Sequence, residues 1–131
     1  MDKTPILLGN SFPMSLVRRR VVIEPRTIGE LRQVLVERGF RSFWGHENTV
    51  VCAEALLGVL VRPKQERPAL VLDQERYPAL EGEASTECWI LSPDYCQGFR
   101  PAVGEEVRMS DIIGWQVLRM VWEQPLGKGN L

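Results

Sequence analysis

TIGELRQVLVERGFRSFWGHENTVVCAEALLG, residues 27–58, holds two helical patterns separated by one short apolar segment, and that alternation decides the fold. The first pattern is marked at both ends. Thr27 and Glu30 have the spacing of a capping box, in which two side chains satisfy backbone N–H groups at the helix start. Ile28, Leu31, Val34 and Leu35 recur at the helical period and form an apolar face, and Gly39 suits the left-handed position after the last turn. The second pattern predicts a helix from Asn48 or Thr49 onward, with Val50, Ala53, Leu56 and Leu57 at core spacing and Gly58 as its stop. Between them FRSFWG, residues 40–45, is compact and aromatic and reads as a strand.

Working outward, PILLGNSF (5–12) is an apolar run broken at Gly9 and Asn10, as expected of a buried strand that ends in a turn. RRRVVIEP (18–25) reads as a second strand, stopped by Pro25, which cannot donate to a central ladder. RPALVLD (67–73) predicts a strand, and QERYPALEGEASTE (74–87) a polar loop. CWILS (88–92) is a short apolar strand of central character. PDYCQGFRPAVGEE (93–106) reads as a long irregular segment of the kind that often forms a functional lid. GWQVLRMVWE (114–123) alternates as a last strand, and QPLGKGNL (124–131) reads as a frayed tail. Helices interleaved with strands, followed by strands alone, predict an α/β (α+β) fold: a single domain over 1–123 with a mixed β-sheet and flanking helices, and a flexible tail over 124–131.

With 131 residues the chain suits one domain and one core. Sixteen basic against 17 acidic side chains give a formal net charge of −1, so the molecule as a whole does not attract long polyanions. A nucleic-acid ligand is therefore expected to be small or to sit in a local basic pocket. No apolar run is long enough to span a bilayer, and MDKTPILLGN lacks the layout of a signal peptide, so a cytoplasmic protein without membrane contact is expected. Cys52, Cys88 and Cys96 with His46 could nominally supply a zinc tetrad. They contain no close Cys-x-x-Cys pair, and buried thiols without a metal or other cofactor are the simpler reading.

His46 is the only histidine in the chain and directly precedes the second helix. A helix N-terminus offers unpaired N–H groups and the positive end of the macrodipole to a phosphate. Imidazole titrates near neutrality and is suited to moving a proton to or from a ribose oxygen. A histidine in this place also fits a plain role, hydrogen bonding at the helix start. Glycine-serine hydrolase elbows, Walker loops, dinucleotide fingerprints and metal-spaced carboxylates are all missing. Cys52 lies well inside the helix, which disfavours it as a nucleophile. Arg18 to Arg20 form one basic cluster and Arg62, Lys64 and Arg67 another, while Tyr95 and Phe99 are candidates for stacking on bases. Trp44 and Trp89, in apolar strands, are assigned to the core.

LLGNSFPMSLV and FWGHENTVVCAEALLGV together resemble two motifs of the small viral and bacterial family that includes the type III anti-CRISPR ring nucleases. The first resembles its N-terminal Asn-[Ala/Ser]-Phe segment, the second its Gly-His-[Asp/Glu]-x-Thr helix start. The resemblance implies a homodimer that binds cyclic tetra-adenylate across its interface. It further implies metal-independent opening of the ring, in which a ribose 2′-hydroxyl attacks the neighbouring phosphorus and leaves a 2′,3′-cyclic phosphate. His46 matches the catalytic general acid and Asn10 the asparagine of the ligand-binding loop. Phosphates would be held by backbone N–H groups of Asn10, Ser11 and Phe12 and of the helix start at Glu47, Asn48 and Thr49. Arg67 or Arg100 would steady the charge, and Tyr95 and Gln97 would line the ligand. The family carries Arg-Leu-Glu-Glu-Gly where this chain has DYCQG, so Asp94 and Gln97 stand in place of its arginine and second glutamate. A protein that binds and sequesters a cyclic nucleotide without cutting it is the alternative.

Overall fold

The computed structural model describes residues 4–45, 47–63, 69–96, 98, 99, 101 and 105–124. Eight strands and two helices follow in the order β1 (Ile6–Gly9), β2 (Val21–Arg26), α1 (Ile28–Arg38), β3 (Phe40–Ser42), α2 (Glu47–Leu57), β4 (Leu70–Leu72), β5 (Pro78–Leu80), β6 (Glu83–Ala84), β7 (Glu87–Tyr95) and β8 (Ile112–Trp122). The main sheet has the order β2-β8-β7-β1-β3, and β4-β5-β6 form a small second sheet. β1 runs parallel to both neighbours, β3 and β7, whereas β7, β8 and β2 pair antiparallel. The sheet is thus mixed, as the α+β reading anticipates. No helix among the described residues is long and apolar enough to cross a membrane.

Side chains alternate between two cores. Ile6 and Leu8 of β1, Trp89 and Leu91 of β7 and Val117 of β8 meet Leu31 and Leu35 of α1 and Val50, Ala53 and Leu57 of α2. On the opposite face Leu7, Cys88, Ile90, Met120 and Trp122 pack with Phe43 and with Tyr77 and Leu80 of the small sheet. Both helices therefore cover one face and the small sheet covers the other. Cys52 and Cys88 are buried, as expected, but Cys96 is only half-buried.

The local signals of the helices are realised. Thr27 Oγ1 accepts the Glu30 N–H at 3.1 Å, and Glu30 Oε1 accepts the Thr27 N–H at 3.0 Å. That backbone hydrogen bond is the first cause that holds the Glu30 carboxyl below its ordinary pKa. Gly39 adopts φ +76° and donates to Leu35 O at 3.0 Å. At the other helix, the Arg32 guanidinium donates to Leu56 O, at 2.6 Å from Nη2, and so satisfies a terminal carbonyl of α2.

Four expectations need correction. Pro25 does not stop its strand: it lies within β2 opposite Leu118, and β2 is an edge strand that tolerates a missing donor. Residues 74–87 are not simply a polar loop, because Tyr77 to Leu80 are buried and supply β5, with β6 beside it. The start of the expected lid, residues 93–95, belongs to β7 and pairs with β8, with a bulge between Asp94 and Tyr95. The third strand ends at Ser42 rather than at Gly45. The expected tail from residue 125 lies outside the described residues.

One buried ion-pair network ties the helix-covered face together. Glu87, 6% exposed, accepts from Arg38 at 2.6 Å, Arg119 at 3.0 Å and Trp89 Nε1 at 2.7 Å. Burial alone would push its carboxyl up; the hydrogen bonds from Arg119, Arg38 and Trp89 outweigh it, and the group ends below the usual range. A depressed folded-state pKa gives stability that is present above the ordinary glutamate value of about 4.3 and is lost as pH falls through the lower folded value.

Two predictions follow from this packing. A Cβ on Gly9 would stand 2.3 Å from the buried Phe43 ring, so Gly9→Ala should cost about 1–3 kcal/mol in urea denaturation. Glu87→Gln removes the carboxylate that Arg38 and Arg119 share, leaving Arg119 its 3.4 Å contact with Glu24, and should cost about 1–3 kcal/mol at neutral pH. The same variant should lose less stability than the natural chain as the solution is acidified below about pH 4, which parallel urea titrations would measure.

Candidate functional site

β1, β3 and β7 are parallel, so the carboxyl ends of β1 and β3 open on the same side of the sheet. In sheets with parallel strands this is where loops are free to meet a ligand. β1 is registered against β7 only through Gly9 opposite Ile90, while β7 continues to Tyr95 along β8. The extended β7–β8 hairpin therefore forms a ledge beyond the end of β1.

Asn10 is the first residue past β1, and its side chain spans the opening. Its Oδ1 accepts the Gly45 N–H at 2.9 Å, which joins the loop after β1 to the loop before α2. Its backbone carbonyl accepts from Ser92 Oγ at 2.9 Å, which fixes the same loop to β7. The segment before α2 is anchored further: Phe43 N–H donates to Leu8 O at 2.9 Å, and Trp44 N–H donates to Ser42 Oγ at 3.2 Å. The buried Trp44 indole donates to Thr49 Oγ1 at 3.1 Å, so the chain on either side of residue 46 is pinned to the core. Ser42 also donates to Val61 O.

These contacts sort the expected site residues. Asn10 at the carboxyl end of β1 is bonded to Gly45, two residues before Glu47, where α2 begins and Asn48 and Thr49 follow. Ser11 and Glu47 are exposed, and the buried Oδ1 of Asn48 has no hydrogen-bond partner among the described residues. The Thr49 side chain is 1% exposed and is used by Trp44, so it serves the fold. The Phe12 ring lies 6.3 Å from Phe43 and 5.1 Å from Trp122, packed against the second core, so its side chain serves the fold. Tyr95 ends β7 with its ring 5.3 Å from Phe99. Burial, then the nearby Cys52, raises the Tyr95 phenol, so it is a neutral hydrogen-bonding group at physiological pH. Cys52 donates to Val107 O at 3.4 Å, and burial followed by Asp111 raises its thiol, which agrees with an unreactive cysteine. His46, Arg67, Gln97 and Arg100 lie outside the described residues, as does Lys64.

The sequence assigns no role to Ser92, and Gly45 enters there only as the glycine of the Gly-His motif. A polar residue closing the apolar run CWILS was the available signal for Ser92. Removal of the Asn10 acceptor by Asn10→Ala should lower stability by about 0.5–1.5 kcal/mol. Hydrogen exchange should show the Gly45 amide losing protection, while the amides of α1 keep theirs.

No protein-family profile and no curated protein matches the chain. Its fold is similar to that of B116 of Sulfolobus turreted icosahedral virus, with a TM-score of 0.56 over 91% of this chain and 99% of that one, at 13% sequence identity.

Proposed function

We propose that the chain is a metal-independent ring nuclease that opens cyclic oligoadenylate, with cyclic tetra-adenylate as the substrate the motifs imply and a homodimer as the working form. The observation that carries this reading is the 2.9 Å hydrogen bond from the Gly45 N–H to Asn10 Oδ1. It links the two sequence motifs on which the resemblance rests, although they are 35 positions apart. A fold shared with a viral protein accords with a family that has viral members.

In this reading the backbone N–H groups of Ser11, Phe12 and the first turn of α2 hold phosphate oxygens, helped by the macrodipole. A ribose 2′-hydroxyl placed in line attacks phosphorus, and the P–O5′ bond breaks. His46 protonates the departing 5′-oxygen, and the 2′-oxygen proton passes to solvent. The products are a 2′,3′-cyclic phosphate and a free 5′-hydroxyl. Orientation of the attacking oxygen supplies much of the acceleration, which suits a site with one histidine. Arg67 or Arg100 would balance charge on the phosphorane. A twofold dimer would offer two such sites to one ring.

Asp94 favours a second reading. It is an exposed carboxylate fixed in β7 opposite Gly114, where the resemblance calls for an arginine. A carboxylate there repels phosphate, so binding without cleavage, which would sequester the signal, is the competing function.

Incubation of cyclic tetra-adenylate with the protein in chelator, followed by product analysis, separates the two. Ring opening that drops about 10²- to 10⁴-fold in His46→Ala supports catalysis by that residue. Equal turnover by both proteins would remove His46 from the mechanism, and tight binding with intact ring recovered would select sequestration.

A further inference from the structure

At the opposite end of the sheet, where β8 finishes beside the start of β2, a cleft of about 520 Å³ is lined by Arg18, Arg19, Arg20, Arg76, Glu75 and Glu123, with two glutamines. Four guanidinium groups face two carboxylates there, in a chain whose formal net charge is −1. The arginines divide into a buttress and a rim. Arg19 is the buttress: its guanidinium lies 4.5 Å over the Tyr77 ring and donates to Glu75 O at 3.1 Å and to Glu123 O at 3.2 Å. It clamps the turn before β5 against the end of β8 and has little donor capacity left.

Arg18, Arg20 and Arg76 are exposed and form the rim. Among the described residues Arg18 bonds through Nε, toward Ser15 O at 3.0 Å. The Arg20 guanidinium stands 3.8 Å from the Glu123 carboxylate, with side chains 86% and 57% exposed, a pairing that holds little energy in water. Arg76 stands at φ +69°, a left-handed position where glycine or asparagine is at ease and an arginine is strained. Asp73 Oδ1 accepts the N–H groups of Glu75 and Tyr77 at 2.9 and 2.8 Å and so fixes that turn.

We infer that this arginine cleft is a second binding site, for the phosphate chain of a small polyphosphorylated ligand. Guanidinium forks match phosphate oxygens two at a time, and the cleft volume suits a chain of several phosphates better than one ion. Among the described residues no aromatic side chain lines the cleft, and Arg19 lies over the nearby Tyr77 ring, so a base finds no stacking partner there. It therefore reads phosphate and ignores the nucleoside. The site is separate from the opening at Asn10 and stands whether or not the chain cuts a cyclic nucleotide.

Calorimetric titration with inorganic tripolyphosphate and with ATP tests this at low and at moderate salt. The two ligands should bind with affinities within a few-fold of each other, and His46→Ala should bind both as the natural chain does. Arg18→Ala and Arg76→Gly should each weaken tripolyphosphate about tenfold. Arg76→Gly should do so with an unchanged or higher Tm, since glycine accepts the positive φ, and this separates lost binding from lost folding. Arg108→Ala, an exposed arginine outside the cleft, is the control for general charge. No binding of tripolyphosphate, equal weakening by Arg108→Ala, or binding of ATP alone would each overturn the assignment.

Discussion

Burial of β1 on both faces is the constraint from which the rest of the architecture follows. Ile6, Leu7 and Leu8 are each 0% exposed, with parallel strands on either side. A strand covered on both faces cannot alternate apolar and polar residues, so the sequence there is a continuous apolar run. Each such side chain contributes at most about 1.5–3 kcal/mol, and only if something covers it. The helix layer serves Ile6 and Leu8, and the small sheet with Phe43 serves Leu7. Neither layer is dispensable, since stripping either one returns part of β1 to water.

The same constraint fixes where polar chemistry is admitted. On the helix-covered face the buried Glu87 carboxylate is admitted because Arg38, Arg119 and the Trp89 indole satisfy it. Outside it, the arginines at the end of β8 remain in solvent and keep their charge at little cost. The two ends of the sheet thus differ: one carries exposed cations on a clamped turn, the other carries backbone and amide groups at strand ends.

Much of this was legible where the signals are local. The capping box at Thr27 and Glu30 and the stops at Gly39 and Gly58 concern neighbours within one helical turn, and they placed both helices within a residue or two. The misread strands depend on distant partners. Pro25 is acceptable only because β2 lies at an edge, and Tyr77 to Leu80 are buried only because Cys88, Met120 and Trp122 present an apolar face to them. Pro93 and Asp94 are poor strand formers individually, yet β8 pairs with them in register. At the site, the Asn-Ser-Phe and Gly-His motifs each stood out in the sequence, but no rule of spacing could show that Asn10 bonds to Gly45.

That bond follows from how a buried strand ends. Where β1 stops, the backbone loses its ladder, and its next polar groups need partners or water. Ser92 supplies a donor for the Asn10 carbonyl, and Asn10 in turn supplies an acceptor for Gly45, so the loops after β1 and before α2 satisfy each other. Each tie leaves the adjoining Ser11 and Glu47 exposed at the rim of the opening. A strand end that used all its polar groups internally would be sealed. This one is held by two hydrogen bonds at Asn10 and still leaves the neighbouring Ser11 in solvent, the feature on which the proposed phosphate site rests.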